Sequence, residues 1–122
     1  MSDSTAAELL QKWTNAIKNG DPKQVTNLYH EDGILLGTFS SKERVGHELI
    51  LEYFEGLLKS PVEVQIISEH PHVFESSAVN SGLYNFNTDG KTINPRFSFV
   101  YSKNDDGWKI ISHHSSVLPE NS

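Results

Sequence analysis

The chain has 122 residues, the size of one ordinary domain spanning 1–122, which leaves no room for a separate cofactor-binding domain. Sixteen acids against 10 Lys and Arg give a formal charge of −6, and only Arg44 and Arg96 are arginines. That balance lacks the clustered cations on which nucleic-acid and anionic-membrane binding rely, and the absence of cysteine excludes disulfides, thiolate ligands and a cysteine nucleophile.

The polar stretch Met1 to Ala7 predicts no signal peptide, and no apolar run approaches a membrane span; a cytoplasmic setting is expected. Residues 5–19 read as a helix, with Leu9, Leu10, Trp13, Ala16 and Ile17 on one face and Gly20 as its stop. Asp21 and Pro22 start a second, short helix, with Val25, Leu28 and Tyr29 as its apolar side. Gly33 to Phe39 is a short strand, and a third helix runs from about His47 to Lys59, stopped by Pro61.

Everything beyond Pro61 reads as strand. Val62, Val64 and Ile66 alternate with Glu63, Gln65 and Ile67. Ala78 to Asn87, Ile93 to Tyr101 and Trp108 to Val117 follow, separated by turns at Asp89-Gly90 and Asn104 to Gly107. Helices first and a meander last predict an α+β domain, with the helices packed on one face of a curved sheet that encloses a pocket.

Several motifs carry a resemblance over nearly the whole chain. Trp13 to Asp21, Leu28 to Gly33, and Arg44-Val-Gly46 with Ile50 and Tyr53-Phe54 resemble the nuclear-transport-factor-2-like superfamily. Pro71-His-Val73, Pro95 to Tyr101, Gly107 to Ser116 and Pro119 are similar to bacterial relatives of the calcium/calmodulin-dependent kinase II association domain, a group often placed with SgcJ/EcaC-type proteins. The resemblance implies the NTF2-like cone: three N-terminal helices on a strongly curved mixed or antiparallel sheet. It hosts both enzymes and association modules, so the fold alone does not decide activity.

Among residues that could carry chemistry, Arg96 lies in a strand of aromatics and aligns with a pocket arginine of the resembled domain. Its guanidinium cannot shed its charge. It suits a small carboxylate ligand, an internal salt bridge or a solvated strand position, and these remain open. The family's second pocket arginine corresponds here to Ser115. Adjacent strand residues point to opposite faces, so counting from Ser115 puts His113 inside and His114 outside. One imidazole could serve as base or donor near neutral pH, and the other would suit a sheet-to-sheet contact; two structural histidines are the alternative. Trp13, Tyr53 and Tyr84 complete the expected pocket wall.

His70 and His72 have an i, i+2 spacing, with His30, His47 or His114 conceivable as a third ligand. Pro71 intervenes and no HExxH is present, so no metal and no cofactor is expected. A steroid-isomerase-like mechanism needs a phenol and two carboxyls where this chain has Trp13, Leu36-Gly37 and Phe97-Ser98. A dehydratase-like pair could be imitated only by Asp32 with His113 or His114.

The expectation is therefore an association-domain-like protein forming a homodimer or larger homo-oligomer through its sheet. Its conical pocket would bind a small polar or carboxylate-bearing molecule. The competing expectation is a small cofactor-independent enzyme, an isomerase, dehydratase or oxidoreductase acting on a hydrophobic metabolite.

Overall fold

The computed structural model describes residues 4–119, so residues 1–3 of the polar stretch Met1 to Ala7 lie outside the described residues. Helix α1 (Ser4–Asn19) buries Ala6, Leu10, Trp13, Ala16 and Ile17, the stripe that its three- and four-residue spacing dictates. The chain leaves it through Gly20 at φ 78°, whose N–H donates to Ile17 O at 3.0 Å. Helix α2 (Pro22–Thr26) starts with Asp21, which accepts from Lys23 N at 3.0 Å.

Strand β1 (Tyr29–Leu36) begins earlier than expected. Tyr29 is its first residue and not part of the helix before it. A two-residue strand β2 (Arg44–Val45) precedes helix α3 (His47–Leu57), and no alternation in the sequence marks so short an element. Strand β3 (Val62–Val73) turns into β4 (Ser77–Thr88). The Asp89-Gly90 turn, with φ 52° and 73°, leads into β5 (Lys91–Ile93). Strands β6 (Pro95–Asn104) and β7 (Gly107–Val117) finish the sheet. The strand expected from Ile93 is thus two elements, broken at Asn94.

The sheet order is β2-β1-β7-β6-β4-β3, with β5 paired to β4. Strand β1 runs parallel to β7, with Leu35 opposite His113, while the other pairings are antiparallel. This corrects the expected cone. The sheet is open, with edges β2 and β3, and is neither closed nor strongly curved. Helix α3 follows β2, so the three helices are not all N-terminal to the sheet. The fold is an α+β mixed sheet with helices on one face.

That face carries the core. Trp13 of α1 stacks on Tyr84 at 5.8 Å and meets Phe99 edge-on at 5.3 Å, while Phe54 of α3 packs on Tyr29. On β6, Phe97, Phe99 and Tyr101 point inward; Arg96 and Ser98 are exposed and Val100 is half-buried on the opposite side. A bulge at Ile67 reverses the alternation of β3. Beyond it Glu69 shares a position with Gly82, while Ser68, His70 and His72 oppose the outward Leu83, Ser81 and Val79.

Candidate functional site

The polar centre of the molecule lies between the sheet and α1. His113 is 2% exposed, and its ring stacks on Phe99 at 3.8 Å. Tyr29 Oη lies 2.7 Å from its Nδ1, and Tyr84 Oη lies 3.1 Å from its Nε2. Trp13 Nε1 donates to Tyr29 Oη at 3.1 Å. Tyr84 Oη donates to Ser115 Oγ at 2.7 Å, and Ser115 Oγ meets Thr38 Oγ1 at 2.5 Å.

Proton counting orders this chain. A phenol has one proton to give, and that of Tyr84 goes to Ser115. The contact with His113 therefore needs the proton on Nε2, which makes His113 Nδ1 the acceptor for Tyr29. The result is a directed relay, Trp13 to Tyr29 to His113 to Tyr84 to Ser115, that leaves neither ring nitrogen free.

Burial holds the network neutral. It lowers the His113 pKa to about 3, with a smaller contribution from neighbouring His114. Burial likewise pushes the Tyr29 and Tyr84 phenols well above their ordinary range, and that of Tyr53 up to about 12.

The expected pocket wall is only partly assembled. Trp13, Tyr84, His113 and Ser115 come together with half-buried Tyr53 around an internal cavity of about 10 Å³. That is the room one water needs and no ligand-sized space. Tyr53 plugs the remaining side: a Cβ built on Gly37 would meet its ring at 2.5 Å. Arg96 is not part of this group. It is exposed on the outer face, opposite Leu83 and Ser116, because it is one strand position out of phase with Phe97. His114 is exposed on that face too, opposite Ser98. Arg96 and His113 thus sit on opposite sides of one sheet and share no pocket.

Tyr29 and Thr38 belong to the network although sequence reasoning passed over both. A start of β1 at Tyr29 would have placed Tyr29 on the sheet. Nothing local marks Thr38, which reaches Ser115 across 77 residues. Asp32, considered as a partner for His113 or His114, is exposed on β1, and its N–H donates to His30 Nδ1 at 3.0 Å. Among the described residues no group of three or more His, Asp or Glu is placed to hold a metal ion.

Arg44, the other arginine, is 9% exposed. Its Nη1 donates to Leu49 O at 2.8 Å and to Glu52 Oε1 at 2.9 Å, and its guanidinium lies 5.6 Å from the Tyr53 ring centre. The arginine contributes more than Lys42 to holding the Glu52 carboxyl below its ordinary range.

Comparison with known proteins agrees with this architecture. The family described as calcium/calmodulin dependent protein kinase II association domain matches residues 3–119. A candidate protein of that description from Xanthomonas campestris is 38% identical, with 95% of this chain and 87% of that one covered and a TM-score of 0.90. An NTF2-like superfamily protein from Salmonella enterica is 19% identical at TM-score 0.84, with 98% and 93% covered. A candidate ketosteroid isomerase from Parabacteroides distasonis is 24% identical at TM-score 0.76, with 96% and 88% covered. The last two show the fold alone. No curated protein matches the chain.

Proposed function

The chain belongs to the calcium/calmodulin-dependent protein kinase II association domain family of the NTF2-like superfamily, and from that premise we propose that it is a homo-oligomeric association module whose helix-free sheet face joins two copies. The observation that carries this reading is the composition of that face. Three rows cross it: Ser68, Leu83, Arg96, Ser116; then His70, Ser81, Ser98, His114, Leu36; then His72, Val79, Val100, Ser112, Ile34. None of these positions holds a carboxylate, in a chain whose formal charge is −6.

Two acidic chains repel each other least across such a surface. Leu83, Ile34 and Leu36 are 37%, 40% and 36% exposed there, so apolar area remains for a partner to cover. Sedimentation velocity at micromolar concentration tests the reading: a dimer is expected, and a monomer overturns it. Val100→Glu, at the middle of the face, should give a folded monomer.

An enzyme reading has support in the fold shared with the isomerase candidate. The His113 nitrogens count against it, since both are occupied by phenols and face no ligand-sized cavity. The interior relay is better read as the polar brace that fixes β1, β4 and β7 against α1.

A further inference from the structure

The outer face has a second property that rests on the association reading: its histidines. The Ile67 bulge turns His70 and His72 onto that face, and the parity of β7 puts His114 there as well. All three are exposed. His70 and His114 lie in one row, separated only by Ser81 and Ser98, whose hydroxyls bond at 2.8 Å.

The fixed charge within their rows is the cation Arg96, and nearby Lys42 pairs with Glu52 at 3.7 Å. His70 faces Ser81 from β4, with Ser68 and His72 along its own strand. His72 faces Val79 from β4. His114 faces Ser98 from β6 and Leu36 from β1, with Arg96 one row away; Lys42 shares the surface cleft beside it. The carboxylates nearest in the chain are placed elsewhere. Glu69 is exposed on the helix-bearing face and accepts from Asn80 Nδ2 at 3.0 Å, Glu75 lies in the turn beyond β3, and Glu63 lies on β3 beyond Gln65.

A two-fold interface sets a patch against its own copy. Every charge gained by the patch is then opposed by a like charge. Imidazole is the side chain that changes charge between about pH 5 and 8. We propose that the sheet face holds two copies together only while His70, His72 and His114 are uncharged, and that acidification separates them. Protonation would take each copy's central rows from one fixed cation, Arg96, to four.

The test is sedimentation velocity of the native chain and of a H70Q/H72Q/H114Q variant at about pH 8 and about pH 5.5, with circular dichroism following the fold. Expected are a native dimer at the higher pH, a folded native monomer at the lower, and a variant dimeric at both, with native affinity falling at least about tenfold on acidification. A native dimer at both pH values overturns the histidine proposal and leaves the association reading standing. A native monomer at both overturns the association reading itself. Dissociation or unfolding of native chain and variant alike at the lower pH traces the response to another group, with His113 foremost, and overturns the proposal.

Discussion

The Tyr84 hydroxyl lies between His113 Nε2 at 3.1 Å and Ser115 Oγ at 2.7 Å, accepting from the ring and donating to the serine. One phenol thus sets the tautomer of a buried histidine. Tyr84→Phe keeps the ring stack on Trp13 but takes away the protein acceptor of the buried His113 N–H. The expected loss is about 1–3 kcal/mol of unfolding free energy, measured by urea denaturation at neutral pH. An unchanged midpoint would show that the relay does not brace the fold.

Acid should weaken the protein through His113. Burial depresses its pKa to about 3 in the folded state, against about 6.5 for an unperturbed imidazole. The folded form therefore prefers the neutral ring. Stability is fully present above about pH 6.5 and falls as pH drops from there towards about 3, at a rate on the order of 1 kcal/mol per pH unit. Denaturation midpoints between those limits check this. His113→Gln should flatten the slope, and an equally steep slope in that variant would assign acid sensitivity to other groups.

Arg44→Lys should destabilise although it keeps the charge. Lysine has one nitrogen and no guanidinium plane, so it cannot bond Leu49 O and Glu52 through Nη1, reach Ser40 Oγ through Nη2 and lie over Tyr53 at once. A loss of roughly 1–3 kcal/mol is expected from the buried polar contacts left unmade. A melting temperature equal to that of the native chain would show the guanidinium to be dispensable.

Gly82 sits where the β3 bulge presses against β4. A Cβ there would run into the Ser68 carbonyl, which is backbone and cannot swing aside. Gly82→Ala is expected to cost about 1–3 kcal/mol as overpacking, read as a lowered melting temperature. If the bulge is also what presents His70 and His72, the same variant should weaken self-association in sedimentation at neutral pH.

Local rules carried the secondary structure a long way. The spacing from Leu10 to Ile17 puts one apolar stripe on α1, and Asp21-Pro22 caps α2 by its own chemistry. The Asp89-Gly90 turn needs positive φ at both residues, and Asp and Gly are among the residues that supply it. Strand parity, being local too, puts Phe97, Phe99 and Tyr101 on one side and Arg96 on the other. The resemblance to a pocket arginine pointed Arg96 towards a ligand that its own strand phase turns away.

An acidic, cysteine-free chain of 122 residues with two arginines determined by itself which chemistries were excluded and where the longer helices and strands lie. Tertiary structure decided the roles of those arginines. Arg44 lies buried over an aromatic ring and Arg96 lies on an open face. It also decided that β1 pairs in parallel with β7, that Thr38 closes a relay begun at Trp13, and that aromatic side chains leave a cavity of only about 10 Å³ beside His113. Those outcomes depend on contacts between residues far apart in the chain and on how completely side chains fill the space between layers. Periodicity and spacing carry no record of either.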